Sequence, residues 1–352
     1  MRKYLLPDTG KFYKANLHCH TECSDGNISA AEMKKNYVER GYSIVAFTDH
    51  DVLVNHSYLN DDNFLTILGF EMDNTEALAP DNSNLGNRKN LHMNCFSKTS
   101  DNVMPYFYHT QFSDQYTGEL LEKYKEHIRF DPNDPGHIRE YTFECINEMI
   151  AAANEHGFLV TLNHPTWSRQ NYSDYMSYKG LSAVEMFNFG GLSRGFDDHA
   201  NVVYDDILRS GQRLFITAGD DYHNEDEYET PLGEHDLGHG YGCWTMIKAD
   251  KLEYGAVINA LMNRHCYATT GPEIHELYVE DGRLHVKCSP ARTISIMCGF
   301  RRGELHCEKA GEPFTETSFE IREKDKYYRV TVTDHEGHIA ESCAYFIDEM
   351  ID

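Results

Sequence analysis

The sequence lacks several features that define common classes of protein. Its ten cysteines occur singly, with no CxxC pair, so the sequence predicts neither a disulfide scaffold nor a zinc ribbon. It contains no run of about 18 uncharged apolar residues, the length that spans a bilayer. The apolar run near the start stops at Pro7 and Asp8, too early for the core of a signal peptide. We therefore expect a cytoplasmic protein with no membrane partner.

Basic residues are scarce relative to acidic ones. The chain has 32 Lys and Arg residues against 57 Asp and Glu residues, which gives a formal net charge of −25 at pH 7. Such a surface repels the phosphate backbone of nucleic acids, so we do not expect long DNA or RNA as a partner. A hydrophobic content of 40% over 352 residues is sufficient for a packed core. No sequence pattern indicates an oligomeric state.

From residue 29 onward, helical and strand patterns alternate. The segment SAAEMKKNYVER predicts a helix capped by Ser29 and ended at Gly41, and YSIVAFT predicts a buried strand. Five further apolar runs predict strands that we expect to be parallel: FLTILGF, HMNCF, FLVTLN, AVEMFNF and RLFITA. Strands that alternate with helices over about 270 residues predict an α/β barrel.

Residues 97–142 interrupt this alternation with prolines and many aromatic residues. A long irregular insertion in a compact domain is usually a functional lid or a disordered segment, and the aromatic content favours order. Two interpretations remain open. The insertion covers the active pocket, with Tyr106, Phe107 and Tyr108 stacking on an aromatic group, or these residues form a small separate core.

The last part of the chain follows a different pattern. From about residue 274, short alternating runs such as RLHVKCS and YYRVTVTD are separated by turn residues. This pattern predicts a small all-β domain, sandwich-like in form. We therefore predict two domains, residues 1–272 with the insertion at 97–142, and residues 273–352.

Histidines and acids recur at the ends of the predicted strands. In NLHCHTECSDG, an extended chain would present His18 and His20 on one face, and Asp25 follows in a turn. The other candidates are His50, Glu71, His92, His164, Asp221 and His223. All but His92 lie at or just past the carboxyl ends of predicted strands, which converge on one face of a barrel. Any one of them alone fits a turn residue better, but together they predict a site for Zn, Mn or Fe.

The motifs resemble those of a known family. In order, NLHCHTECSDG, FTDHD, GFE, the His92 strand, NHP and AGDDYH resemble the motifs of the polymerase and histidinol phosphatase (PHP) superfamily. Downstream, GYGCWTMIKADKLEYGAVINALMNRHCYATTGP resembles the tail of PHP phosphoesterases that carry a C-terminal β domain. The resemblance implies a distorted (β/α)7 TIM-like barrel of the PHP fold and a metal-dependent phosphoesterase. Its substrate would be a small phosphorylated metabolite or nucleotide.

The resemblance also implies roles for individual residues. Two or three divalent transition-metal ions would be held, the first by His18, His20, Glu71 and Asp221, the second by Glu71, His92 and His164, and the third by Asp25, His50 and His223. Glu71 and Asp221 would serve catalysis by holding the metals that share a bridging hydroxide, the nucleophile. Arg169 and Arg194 follow predicted strands and are candidates for holding phosphate oxygens. Asp49 and Asp220, next to ligands, are expected to orient imidazoles.

Two positions depart from the family pattern. Asp25 stands where some members have a histidine, which puts the third metal in question. Trp167 stands where relatives that act on nucleotides often have an arginine shortly after the HP dipeptide, so the phosphate clamp and the substrate stay open. Amidohydrolase and TatD-like barrels also begin with HxH. Hydrolysis of carboxyl esters or amides therefore remains an alternative, as does a non-catalytic, metal-stabilised binding protein.

Overall fold

The structure is a computed structural model that describes residues 2–105, 122–129, 139–224, 240–310 and 312–351. Its strands are β1 (Lys3–Tyr4), β2 (Lys11–Asn16), β3 (Ile44–Phe47), β4 (Leu65–Thr75), β5 (Asn90–Ser97), β6 (Phe158–Leu162), β7 (Ala183–Asn188), β8 (Phe215–Gly219), β9 (Trp244–Ala249), β10 (Cys266–Thr269), β11 (Ile274–Glu280), β12 (Arg283–Cys288), β13 (Thr293–Cys298), β14 (Gly303–Cys307), β15 (Glu316–Glu320), β16 (Tyr327–Thr333), β17 (Ile339–Ser342) and β18 (Tyr345–Phe346). Its helices are α1 (Ala30–Glu39), α2 (Phe143–Glu155), α3 (Tyr172–Tyr175), α4 (Phe189–Ser193), α5 (Asn201–Arg209), α6 (Tyr254–Met262) and α7 (Ile347–Met350).

Strands β2 to β8 lie side by side in chain order. The first three are parallel to one another, and so are β6, β7 and β8. Strand β5 runs antiparallel to both of its neighbours, so the prediction of an all-parallel set is wrong for this strand. Residues 76–89 connect β4 to β5 as a hairpin loop, in place of the crossover that parallel neighbours require.

The strand path is open within the described residues, and no ladder joins β8 back to β2. Strand β2 instead pairs with β9 on its other side. A single parallel bridge, between Cys19 and Tyr222, links the segments that follow β2 and β8. The mixed α/β architecture with a β-rich C-terminal region is confirmed, whereas a closed barrel is not found.

The helices begin where the sequence places capping residues. The Ser29 hydroxyl accepts a hydrogen bond from the Glu32 amide at the start of α1, as predicted. The Thr142 hydroxyl accepts one from the Cys145 amide at the start of α2. Helix α1 packs on β3, α2 on β6 and α5 on β7. All residues of β3, β6 and β8 are buried, which is typical of strands covered on both faces.

The C-terminal region shares its sheets with the rest of the chain. Strands β14, β13, β16 and β17 continue the large sheet through β10 and β9 to β2. Strand β1, near the start of the chain, pairs with β11 in a second sheet with β12 and β15. A buried group of charges also joins the two parts. Arg329 on β16 contacts Asp205 on α5 and Glu341 on β17, each at 2.8 Å; we call these three residues the Arg329 cluster.

Part of the insertion at residues 97–142 is described. The aromatic residues 106–108 lie outside the described residues, so their stacking stays a prediction. Residues 122–129 are described, and Tyr124 there packs against Cys23, which lies between the candidate ligands His20 and Asp25. Among the described residues, no helix has the length and apolar character needed to cross a bilayer.

Candidate metal centre

Each of the seven strands β2 to β8 leads to a side chain in one pocket. His18, His20 and Asp25 follow β2, His50 follows β3, Glu71 lies in β4, His92 in β5, Glu185 in β7, His164 follows β6, and Asp221 and His223 follow β8. Parallel strands end at a common edge, and an antiparallel strand begins there. This explains His92, because the start of the reversed strand β5 lies where its neighbours end.

The two histidines of the HxH motif lie beyond the strand that was expected to hold them. Strand β2 ends at Asn16, but the bridge at Cys19 keeps the following segment extended. The Nε2 atoms of His18 and His20 are therefore only 3.4 Å apart. Gly219 at the end of β8 permits this packing, since a Cβ there would lie 2.5 Å from that of His18.

The fully buried carboxylate of Glu71 lies at the centre of the pocket. Five imidazoles surround it. Its Oε1 lies 3.1 Å from His18 Nε2, 3.3 Å from His92 Nδ1 and 3.4 Å from His164 Nε2, and its Oε2 lies 3.2 Å from His50 Nδ1 and 3.3 Å from His20 Nε2. The Asn163 amide donates to Oε1 at 2.6 Å. Glu71 therefore touches every histidine of the nine candidates except His223.

Asp221 and Asp25 extend the cluster on either side of His20. Asp221 Oδ1 lies 3.1 Å from His20 Nε2 and 3.3 Å from His18 Nε2. Asp25 Oδ1 lies 3.3 Å from His223 Nε2, and its Oδ2 lies 3.5 Å from His50 Nε2. The nine candidates thus form one continuous network rather than separate clusters.

The residues group in nearly the way that the resemblance implied. His18, His20, Glu71 and Asp221 form one set whose possible ligand atoms lie within 4.8 Å of one another, and His20, Asp25, His50 and His223 form another. The remaining grouping differs from the one implied. His92 groups with His50 and Glu71, whereas His164 groups with His18 and Glu185.

The pocket has the properties of a site for cations. His50 Nδ1, His164 Nε2 and Glu71 Oε2 are buried and have no hydrogen-bond partner, although buried polar atoms normally have one. Among the residues described, no Lys or Arg forms an ion pair with Glu71, Asp25 or Asp221. Imidazole and carboxylate groups around a shared space are the donor set of divalent transition metals. These residues therefore fit the metal ions that the family implies.

The carboxylates are held in their ionised form. Burial acts to raise the pKa of Glu71, but the neighbouring imidazoles, His92 and His18 foremost, hold it well below its usual value. Burial opposes the imidazoles at Asp221 in the same way, and there too the pKa lies well below the usual value. Burial likewise acts to lower the pKa of His18, but Asp221 and Glu71 raise it well above normal. The pocket is thus arranged to attract positive charge.

Glu185 is a functional candidate that the sequence analysis missed. It is buried on β7, and its Oε1 lies 2.9 Å from His18 Nδ1. Its Oε2 accepts hydrogen bonds from the His164 amide and the Asn188 side chain, both at 3.0 Å. One signal was available, because Glu185 is the charged residue inside the apolar run AVEMFNF and a buried charge is informative.

Asp49 and Asp220 do not take the orienting role expected of them. Asp49 accepts hydrogen bonds from the Thr21 amide at 2.7 Å and the Ser24 hydroxyl at 2.9 Å. Asp220 accepts one from the Tyr37 hydroxyl at 3.0 Å, and burial raises its pKa to about 7. Within the described part of the chain, neither is hydrogen-bonded to a candidate imidazole. They hold the loops that carry the ligands, and Glu185 contacts the imidazole itself.

The two candidate arginines lie in different places. A cavity of about 300 Å3 opens over the metal-site residues, and Arg194 and Trp167 line it. Arg169 is absent from that lining and faces a second cavity on the other side of Trp167. The Trp167 ring packs against the His164 ring with a centroid distance of 4.9 Å. The structure thus brings Arg194 to the metal pocket and leaves Arg169 outside it.

Comparison with known proteins identifies the class of this domain. Residues 16–164 match the family model of the PHP domain. The chain therefore carries a PHP domain, and the resemblance drawn from its motifs is confirmed. The matched residues include seven of the nine candidates and end before Asp221 and His223.

Two solved structures illustrate the likeness. One is a two-domain protein from Bacteroides vulgatus containing a predicted PHP-like metal-dependent phosphoesterase, with 15% identity, coverage of 98% of both chains and a TM-score of 0.44. The other is an amidohydrolase from Chromobacterium violaceum with bound sulfate and no metal, with 13% identity, coverage of 72% of this chain and 96% of that one, and a TM-score of 0.40. No curated protein matches the sequence.

Proposed function

We propose that this protein is a metal-dependent hydrolase that cleaves a phosphoric ester of a small phosphorylated metabolite or nucleotide. The observation that carries the proposal is the buried Glu71 carboxylate with five imidazoles around it and unsatisfied ligand atoms on both sides. Such a cluster serves no purpose in packing, because it buries charges that described Lys and Arg residues do not neutralise. It is well suited to holding cations beside an open cavity.

The residues suggest two or three divalent ions, which we expect to be Zn, Mn or Fe. His18, His20, Glu71 and Asp221 would hold one ion, and Asp25, His50 and His223 together with His20 would hold a second. His92 and His164 would complete a third position with Glu71. When bound, such ions supply an activated water and neutralise charge that develops on a phosphoryl group.

The protein's own side chains would position the reacting groups. Glu185 fixes the ring of His18 through Nδ1, so that Nε2 faces Glu71. Asn163 fixes the Glu71 carboxylate by donating to Oε1. Arg194 lines the cavity over the site, where its guanidinium would bind nonbridging phosphate oxygens. Asp221 and Glu71, both ionised, keep the pocket receptive to cations.

The finer features of the proposal follow from the same reasoning. We propose that β2 to β8 form a distorted barrel of the PHP type, with residues 273–352 as a second, all-β domain that supports it. The substrate would be a small molecule and not long nucleic acid, because the chain is strongly acidic. A cytoplasmic location and the absence of a membrane partner remain part of this proposal.

Two other functions are tested by the same experiment. One is hydrolysis of carboxyl esters or amides at this pocket, and the other is metal-stabilised binding without catalysis. The protein should be purified without added metal and analysed for its elements. It should then be assayed, with metal restored, on p-nitrophenyl phosphate, bis(p-nitrophenyl) phosphate and p-nitrophenyl acetate. We expect turnover of a phosphate ester. Turnover of the acetate alone would favour the first alternative, and bound metal without turnover the second.

A further inference from the structure

A second cavity, of about 280 Å3, lies beside the metal pocket, and Trp167 lines both. Arg88, Asn90, Arg169 and Phe196 also line it. No acidic side chain among the described residues lines this cavity, although acids outnumber bases in the chain by 57 to 32. The second cavity is therefore a local exception to the charge of the protein.

The two arginines are available to a ligand. Arg88 and Arg169 are exposed, and neither forms an ion pair with a carboxylate in the described part of the chain. The one contact of the Arg88 guanidinium is long, 3.5 Å from Nη1 to the Glu76 carbonyl oxygen. By comparison, Arg213 and Arg264 each contact Glu349 at 2.6 Å. Two guanidinium groups on one cavity favour a bidentate oxyanion.

The loop that carries Trp167 and Arg169 is held in place from both sides. The Trp167 amide donates to Asp198 Oδ1 at 3.2 Å, and the Ser168 amide donates to the His164 carbonyl at 3.0 Å. Arg169 has a φ of 56°, in the left-handed region, so the chain turns sharply at that residue. One short loop thus carries a candidate metal ligand, an aromatic wall and a guanidinium in a fixed arrangement.

We propose that this cavity is an anion subsite for the leaving group of the substrate. A carboxylate or phosphate on the leaving group binds Arg169 and Arg88, and a planar ring between the two anionic ends packs on Trp167 and Phe196. The inference rests on the proposed function, since it places the scissile ester in the adjoining metal pocket. It assigns the substrate class as an ester with a second anionic group on a planar leaving group.

The first experiment compares two substrates that differ by one anion, phenyl phosphate and 4-carboxyphenyl phosphate. We expect the wild-type protein to prefer the carboxylated ester in kcat/KM. In Arg169→Ala the ratio of the two kcat/KM values should fall about 10-fold, since hydrogen bonds to charged groups are strong. Arg88→Ala should lower it less, and Arg169→Lys should restore part of it. Arg301→Ala, an exposed arginine in the C-terminal region, is the matched control. A ratio that is unchanged in Arg169→Ala would overturn the subsite.

The second experiment does not depend on hydrolysis. The chain has two tryptophans, so Trp244→Phe leaves Trp167 as its single fluorophore of this kind. We expect benzoate or phenylphosphonate to change its fluorescence in a saturable way, whereas neutral benzamide does not, and the stronger ligand identifies the preferred anion. Adding Arg169→Ala should abolish the response, and adding Arg301→Ala should not.

The two experiments separate the two proposals. If neither aryl phosphate is hydrolysed but the fluorescence response requires Arg169, the anion subsite stands and the phosphoesterase proposal fails. If the esters are hydrolysed without preference and the fluorescence response is the same in Arg169→Ala, the subsite fails and the phosphoesterase proposal stands.

Discussion

The Arg329 cluster and the pocket around Glu71 both bury carboxylates, but they are neutralised in different ways. In the Arg329 cluster one guanidinium contacts Asp205 and Glu341, so the chain supplies its own cation. Around Glu71, the described residues supply imidazoles and no Lys or Arg ion pair. Desolvating a charge is costly unless a partner compensates for it. The first cluster is complete as folded, and the second is completed by ions from solution.

The largest effect that tests this comparison is expected at Glu71. Glu71→Gln keeps the shape of the side chain but replaces an anionic oxygen with an NH2 group that cannot bind a metal. We expect loss of at least one metal ion and a fall in kcat of several orders of magnitude, on the order of 10^3 or more. Elemental analysis and steady-state assays would measure both. Glu148→Gln, the same change at an exposed position on α2, is the control. Normal metal content and turnover in Glu71→Gln would refute the central role of this residue.

The next largest effect concerns the self-contained cluster. Arg329→Met leaves Asp205 and Glu341 as buried carboxylates without a cation, and breaking such a pair costs about 3–5 kcal/mol in the free energy of unfolding. Urea denaturation with metal present would measure it. The control is Arg213→Met, because Arg213 is partly exposed and its ion pairs lie at the surface. There we expect a loss below about 1 kcal/mol. Equal losses in the two variants would show that burial does not separate them.

A smaller effect is expected at Glu185, which holds a candidate ligand in position. Glu185→Gln removes the charge beside His18 Nδ1 but keeps the side-chain volume. Changes to groups that orient metal ligands usually lower metal affinity about 10- to 100-fold. Titration of metal-depleted protein should show a loss of that size. The fold should be retained, as judged by circular dichroism. Wild-type affinity in this variant would mean that His18 is oriented without Glu185.

The smallest effect concerns a buried histidine that has no carboxylate ion pair within the described residues. Burial lowers the pKa of His56 to about 3, whereas the unfolded chain titrates near the model value of 6.5. The neutral folded form therefore stabilises the protein fully above pH 6.5, and this contribution is lost as the pH falls. Between pH 7 and pH 5 the loss should be about 2 kcal/mol. His56→Gln should reduce the pH dependence of the unfolding free energy by that amount. An unchanged dependence would contradict the buried, neutral state.

The local elements and most of the pocket were predictable from the sequence. Caps such as Ser29 and apolar runs such as that of β3 form their structure through neighbouring residues, so the pattern contains the information. The ligand candidates were predictable because imidazoles and carboxylates at strand ends have few other reasons to recur. The exception noted at His92, away from a strand end, was the trace of a reversed strand.

The direction of β5 and the position of Glu185 were not predictable in the same way. An apolar strand carries the same residues whether its neighbours are parallel or antiparallel, because direction is set by the ladder partners. The sequence likewise does not say which face of β7 points to the pocket, so Glu185 looked like part of a core strand. Arg169 was misplaced by a turn with positive φ, which redirects the chain between two adjacent residues.

The reversal of β5 also has an evolutionary consequence. Parallel strands are joined by crossovers that run along the outside of a sheet, so their connections shape the rim at one end only. Because β4 and β5 form a hairpin, residues 76–89 are a loop at the rim of the pocket, and this loop contributes Arg88 to the second cavity. Insertions and deletions there leave every ladder hydrogen bond of the sheet intact. The length and charge of this loop can therefore diverge between related chains faster than the metal site, and substrate choice can change without a change in chemistry.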